Sequence, residues 1–280
     1  TITVDPSPTI SNATLTQTIC SAATASITPT SGVVGAIFAY IAVGSSANVT
    51  GFTAAGAGNI NDVLTNTGTV PETVTYTVTP TGPAPSLCTG TPSNFVVTVN
   101  PVPDVSNAVL TQTMCSGSAA TFVPTSNIAG TTFNYTATAS AGTVTGFTAA
   151  GSGNINDVIT NTGIVPETVT YIITPDYGGC QGTAVNFVVT INPAPVITNS
   201  PLSQEICSGT TAAVTLTSNM AGATFAWTSS ASAGTITGFT AAGAGNINDA
   251  LSNSVNAPGT VTYVITATSA GTACAGTPVN

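Results

Sequence analysis

The sequence predicts an all-β chain of three tandem antiparallel β-sandwich domains, and three observations carry that prediction. One unit occurs three times. Gly51-Phe52-Thr53-Ala54-Ala55-Gly56 returns at 146–151 and 238–243, and Asn59-Ile60-Asn61-Asp62 returns at 154–157 and 246–249. Cys20, Cys115 and Cys207 keep the same offsets, and so do Tyr76, Tyr171 and Tyr263. A period of about 93 residues is too long for solenoid repeats and suits one small sandwich. Within a unit the apolar pattern has period two: in Thr73–Thr79, Val74, Tyr76 and Val78 share one face and Thr fills the other. No segment holds a 3.6-residue apolar period long enough for a sizeable helix.

Each element follows from its residues. Ala36–Tyr40 reads as a strand with Phe38 and Tyr40 on one face, matched by Phe133 with Tyr135 and by Phe225 with Trp227. Phe95–Val99 reads as the last strand. Ile60, Val63 and Leu64 fit either one helical turn or a strand with a bulge. Thr is β-branched and suits a pleated surface, while its hydroxyl wets the outer face without charge. Asn100-Pro101-Val102-Pro103 and Asn192-Pro193-Ala194-Pro195 mark the boundaries, with Asp5-Pro6-Ser7-Pro8 the same junction at the start. Proline fixes φ and biases its neighbour toward extended backbone, so these junctions predict stiff spacers and an extended rod. The expected domains are 7–101, 102–193 and 194–280.

The ends of the sequence add a feature. Thr1–Pro6 matches Val96–Pro101, so residues 1–6 read as the final strand of a preceding or neighbouring repeat. Asn280 matches Asn94, so the third repeat is expected to lack its last strand. Joining tail to head leaves a gap at the Phe95 position. Two readings follow: a window of a longer tandem chain, or a donor strand carrying Ile2 and Val4 that completes the third domain of the next subunit. Either predicts a fibre.

Composition excludes many functions. Among 280 residues there are nine acidic side chains and no Lys, Arg or His, so 3% are charged, against roughly a quarter in an average domain. Without cations the chain cannot neutralise nucleic-acid phosphates or clamp a phosphoryl group. Without His it has no imidazole base or ligand, and without Lys no Schiff base. No apolar run approaches the ~20 residues of a membrane span. No leader pattern precedes Thr1, which predicts that a signal peptide was removed or lies outside this segment.

Six cysteines fall two per unit. Repeat symmetry predicts the intra-repeat disulfides Cys20–Cys88, Cys115–Cys180 and Cys207–Cys274, and with them an oxidising, extracellular setting. The recurring loop ahead of Asp62 offers oxygen ligands. Asn59 with Asp62, Asn154 with Asp157 and Asn246 with Asp249 are the candidate Ca²⁺ positions, with a tight turn as the other reading. Glu72 and Glu167 match each other, but Gly259 replaces them in the third unit, so no catalytic carboxylate pair recurs. Gln17, Gln112 and Gln204 recur just ahead of the first Cys. The recurring Tyr is expected in the core, with a backbone bond at a strand corner as an additional reading for its hydroxyl. No catalytic residue, resident metal or other cofactor is expected, and the chain reads as no enzyme.

The unit resembles the PKD-like, immunoglobulin-like repeats of long secreted surface proteins of Bacteroidetes, among them gliding-motility adhesins and other type IX secretion substrates. The residues that carry this are the Cys ahead of an early strand, Leu64–Thr67, Val74–Pro80, Cys88-Thr89-Gly90-Thr91-Pro92 and Val97–Pro101. The Trp-Asp-Phe-Gly-Asp-Gly run of true PKD domains is absent. The resemblance implies immunoglobulin-like sandwiches in a stalk or adhesive fibre at a cell surface, with further copies or repeats of itself and surface glycans as partners. A carbohydrate- or Ca²⁺-binding spacer is the alternative.

Because trypsin cleaves only after Lys or Arg, incubation of the urea-denatured chain with trypsin should leave a single full-length band, while pepsin should fragment the same sample.

Overall fold

A computed structural model describes residues 1–280, none of them helical. The first repeat contains β1 (Thr16–Cys20), β2 (Ala23–Ile27), β3 (Ile37–Gly44), β4 (Val49–Thr50), β5 (Ala55–Ala57), β6 (Ile60–Asn66), β7 (Glu72–Thr81) and β8 (Ser93–Asn100). They form a five-stranded sheet in the order β1-β8-β7-β3-β5 and a three-stranded sheet in the order β2-β6-β4. The period-two pattern explains why two sheets suffice. Val74, Tyr76 and Val78 of β7 and Val97 and Val99 of β8 are fully buried, and they pack against Ile60 and Leu64 of the other sheet. The Thr between them lie on the outer face. The segment at Ile60 is a regular strand, antiparallel to β2 throughout. Ile60 and Leu64 point in while Val63 is exposed, so the helical-turn reading is corrected.

The second repeat repeats the plan with β9 (Thr111–Cys115), β10 (Ser118–Phe122), β11 (Thr132–Ala139), β12 (Val144–Thr145), β13 (Ala150–Ser152), β14 (Ile155–Asn161), β15 (Glu167–Tyr177), β16 (Cys180–Gln181) and β17 (Val185–Asn192). Its sheets run β13-β11-β15-β17-β9 and β10-β14-β12, with β16 paired to the end of β15. The third contains β18 (Thr210–Val214), β19 (Thr224–Ala231), β20 (Ile236–Thr237), β21 (Ala242–Ala244), β22 (Ile247–Asn253) and β23 (Val261–Thr268). Its sheets have only three strands each, β21-β19-β23 and β18-β22-β20.

One pairing departs from an all-antiparallel sandwich. β1 runs parallel to β8, with Thr16 opposite Val96 and Cys20 opposite Asn100. β9 runs parallel to β17, with Cys115 opposite Asn192. No hairpin joins these strands, so no tight turn imposes antiparallel direction. The parallel pairing also explains the third repeat. Isolated bridges meet β23 there, Val279 opposite Ile265 and Ala275 opposite Thr268, the former as Ser93 meets Val78 in the first repeat. Ser203–Cys207, the counterpart of β1, forms no strand. Tyr263 is consequently half-buried, whereas Tyr76 and Tyr171 are fully buried.

The proline junctions are fixed by close approach. A Cβ added to Gly90 would lie 1.7 Å from the carbonyl oxygen of Pro8. At Gly182 it would lie 1.7 Å from that of Pro103, and at Gly276, 1.9 Å from that of Pro195. The Gly two residues after the second Cys of each unit is therefore the floor on which the entering Pro-x-Pro segment rests. By contact density the chain divides into one unit of 1–108, 124–134 and 173–185 and another of 109–123, 135–172 and 186–280. The junction at Pro101–Pro103 lies inside the former and that at Pro193–Pro195 inside the latter.

Gly182→Ala should destabilise the protein by about 1–3 kcal/mol, the usual cost of forcing an extra carbon into a packed site. Gly142, which has open space around it, is the control: Gly142→Ala should be neutral or slightly stabilising in the same thermal melt.

Candidate functional site: the repeat junction and its supporting carboxylates

Every repeat carries the same inward-facing carboxylate, buried at Asp157 and Asp249 and half-buried at Asp62. Asp62 points into the sandwich from β6, where its Oδ2 accepts hydrogen bonds from the Thr53 backbone N–H (2.8 Å) and the Tyr76 hydroxyl (2.7 Å), and its Oδ1 accepts from the Thr53 hydroxyl (2.8 Å). Asp157 takes the same three bonds from Thr148 and Tyr171, and Asp249 from Thr240 and Tyr263. The tyrosine thus bonds a carboxylate rather than the backbone at a strand corner, which corrects that expectation. Strand parity is the reason: Asp62 lies two residues before Leu64 and shares its inward face. Gly51 makes the turn possible, with φ at +90° and its Cα close against the Val63 carbonyl. An edge-on aromatic covers each tyrosine: Tyr40 on Tyr76, Tyr135 on Tyr171 and Trp227 on Tyr263, with centroids 5.4–5.9 Å apart.

These contacts set the electrostatics. Burial alone would raise the Asp157 and Asp249 carboxyls, but hydrogen bonds from the threonine N–H, the tyrosine hydroxyl and the threonine hydroxyl hold both below the ordinary range. Burial, followed by the bond to the neighbouring carboxylate, pushes Tyr76, Tyr171 and Tyr263 well above the usual phenol value.

The candidate calcium ligands are not gathered into a donor set. Asn59, Asn154 and Asn246 are exposed just before the strand, while Asp62, Asp157 and Asp249 turn inward against N–H and O–H donors. Asn246 gives its side-chain oxygen to the Leu216 N–H. No three Cys, Asp or Glu side chains cluster. Glu72 and Glu167 accept hydrogen bonds from Ser45 and Ser140; the Ser45 bond holds Glu72 below the ordinary carboxyl range. Gln112 bridges the two sheets, donating to the Ala119 carbonyl and accepting from the Thr121 N–H.

Asn66, at the end of β6, is a structural residue that the sequence reading passed over. Its Nδ2 donates to the carbonyls of Val70 and Val99, and its Oδ1 accepts from the Gly68 N–H. Its backbone exchanges bonds with the Ser21 hydroxyl. Asn161 and Ser116 repeat the arrangement. The signal was in the sequence: Ser follows the first Cys in every unit, and Asn closes the Leu-Thr-Asn, Ile-Thr-Asn or Leu-Ser-Asn run, in matching places.

The disulfides overturn the predicted pairing. Cys20 bonds Cys180, with Cα atoms 5.5 Å apart, and Cys115 bonds Cys274, at 5.4 Å. Cys88 and Cys207 are free thiols. The parallel strand pair explains the correction. Cys20 sits beside Asn100, at the C-terminal end of β8, while Cys88 precedes the N-terminal end of β8. An eight-residue strand spans about 25 Å, far beyond the ~7 Å limit for a bridge. The first Cys of a repeat instead meets the second Cys of the following repeat, which arrives through the proline junction. Each bridge closes over the place where one sandwich passes its chain to the next.

A model of the PKD-like domain matches residues 17–103, 112–195 and 204–280. The chain belongs to the PKD-like domain family. Among solved structures, it is similar to the I-band fragment I67–I69 of titin, at 8% identity and TM-score 0.39 over 95% of this chain and 93% of that one. It is also similar to mouse cadherin-23 EC22–24, at 12% identity and TM-score 0.33 over 98% of each. A third is a complex of Dpr2 Ig1–Ig2 with DIP-Theta Ig1–Ig3, at 11% identity and TM-score 0.36 over 97% of this chain and 98% of that one. No curated protein matches. Three PKD-like domains thus follow one another along the chain. No helix is long and apolar enough to cross a membrane.

The pH dependence follows from both shifts. The depressed Asp157 and Asp249 contribute stability that is fully present above the unfolded carboxyl value and lost as pH falls through the folded one. The raised tyrosines contribute stability that is present below the unfolded phenol value and lost as pH rises past it. The melting temperature should be flat through neutrality and fall below about pH 4 and above about pH 10. Tyr171→Phe should cost about 1–3 kcal/mol at neutral pH, because it strips a donor from a buried carboxylate, and carboxyl NMR should show Asp157 titrating at higher pH.

Proposed function

We propose that this chain is a structural or adhesive segment of a secreted cell-surface fibre built from tandem PKD-like domains, of the class to which the long Bacteroidetes-type surface adhesins belong. The observation that carries the reading is the pair of bridges between successive repeats. A disulfide inside a domain resists unfolding of that domain. A disulfide across a junction resists bending and separation of neighbours, which is useful to a chain that transmits force or projects a surface. The bridges also favour an oxidising compartment outside the cytosol. Near-absent charge and threonine-rich faces support close association with further repeats, with little electrostatic repulsion. Surface glycans are the partner class that hydroxyl-rich faces would meet at a cell exterior.

Small-angle scattering of the protein before and after selective reduction tests the mechanical part. The expected result is an increase in the radius of gyration and in interdomain flexibility on reduction, with the circular-dichroism signature of the sandwiches retained. An unchanged scattering profile would remove the bracing role. Calorimetric titration with Ca²⁺ or glycans showing one binding event per repeat would replace the fibre reading with a binding-spacer reading.

A further inference from the structure

A cavity of about 190 Å³ lies in the first repeat between β1 and β2, the strands at the edges of its two sheets. It is smaller than the usual site for a drug-sized molecule and suits one small ring. Gln17, Ile27 and Phe95 line it, together with the hydroxyl-bearing Thr14, Ser26 and Thr28, and no charged side chain does.

The second repeat shows what occupies the same place there. Gln112, the counterpart of Gln17, reaches across to β10, donating to the Ala119 carbonyl and accepting from the Thr121 N–H. Phe122 stacks on Phe187, with centroids 4.4 Å apart. Three differences open the first repeat: Ile27 stands for Phe122, Thr14 for Val109 and Thr28 for Val123. The smaller Ile27 leaves space beside Phe95, and the two threonines make an apolar rim polar. Gln17 does not bridge, and its Oε1 is buried with no hydrogen-bond partner. The two groups that Gln112 caps on β10 correspond to the Thr24 carbonyl and the Ser26 N–H, and β2 is an edge strand of its sheet. A buried acceptor without a donor is costly to keep, so a ligand that supplies the donor is favoured there.

We propose that this cleft binds one neutral sugar ring through a vicinal diol. The Gln112 amide sets the pattern required: a donor and an acceptor side by side, facing a carbonyl and an N–H two residues apart on an edge strand. Two adjacent ring hydroxyls offer that pattern. One donates to the Thr24 carbonyl. The other accepts from the Ser26 N–H and still has a hydrogen for Gln17 Oε1. Rotation about the soft terminal torsion of Gln17 turns Oε1 toward it. A peptide group does not fit, because its trans N–H and C=O point in opposite directions. The apolar side of the ring meets Ile27 and Phe95, and its remaining hydroxyls meet Thr14 and Thr28. A charged sugar would find no counter-charge, since the chain has no Lys, Arg or His. This deepens the glycan part of the fibre reading, on which it rests, by naming one site in the first of the three repeats.

Two-dimensional NMR of the isotope-labelled 280-residue chain tests the site. The probes are the methyl glycosides of glucose, galactose and mannose and a vicinal cyclohexanediol, with cyclohexanol and acetamide as controls. The expected result is a saturable shift of the Ser26 N–H and the Gln17 side-chain amide with the diol and at least one glycoside, and none at Thr121 or Gln112. Ile27→Phe, which installs the side chain of the second repeat, should weaken binding by about tenfold or more. Gln17→Met should do the same while leaving the melting temperature and the Cys20–Cys180 bridge intact, which reports that the variant has folded. No saturable shift with any of the glycosides overturns the proposal. So does equal binding of cyclohexanol or acetamide, binding that survives either substitution, or equal shifts in all three repeats. The scattering response to reduction does not involve this cleft, so the bracing role survives or fails separately.

Discussion

The parallel pairing of the first and last strands of the first two repeats organises everything else in this chain. Parallel direction places the start of a domain beside its exit, so Cys20 stands next to Asn100 and Cys115 next to Asn192. The exit is immediately followed by two prolines, whose fixed φ carries the chain straight into the next sandwich. There the Gly of the Cys-x-Gly turn leaves room for the proline segment, and the Cys two residues earlier comes within bonding distance. A single choice of strand direction thus converts a pair of cysteines per repeat from internal staples into links between repeats.

The interior works under an unusual constraint: it uses carboxylates without any cation to neutralise them. Asp62, Asp157 and Asp249 are held by a backbone N–H and two hydroxyls, a solution that suits a chain with no Lys, Arg or His. Such bonds to a charged acceptor are stronger than neutral ones, and each ties a loop, an inner strand of one sheet and a tyrosine from the other. The same pairs restrain the tyrosines, whose raised titration and edge-on aromatic neighbours mark them as core members.

In the third repeat β23 is met, on the side where β7 has β8, by isolated bridges from Ala275 and Val279. Where β8 and β17 supply apolar side chains, backbone partners and an acceptor for the buried Asn, the third repeat leaves Tyr263 half-buried and its first strand unformed. In their sheets β1 and β9 pair only with β8 and β17, and Ser203–Cys207 in the third repeat forms no strand.

Much of this was legible in the sequence. Period-two alternation in Thr73–Thr79 and Phe95–Val99 fixed the strands and their inward residues, since parity along a strand is a local property. The threefold recurrence fixed the number of sandwiches, and the near-absence of charge fixed which chemistry was excluded. The inward direction of Asp62 was legible in principle from its spacing to Leu64, but its partners were not, because Thr53 and Tyr76 come from different elements. The role of Asn66 was hidden for the same reason, one of its acceptors lying on β8. The cysteine pairing went furthest astray. Recurrence shows that two cysteines belong to each unit, and it is silent on whether the bond stays within a unit or steps to the next, since both choices have the same symmetry. Only the tertiary structure decided that, because strand direction is set by long-range pairing and fixes which sulfurs come within reach of one another.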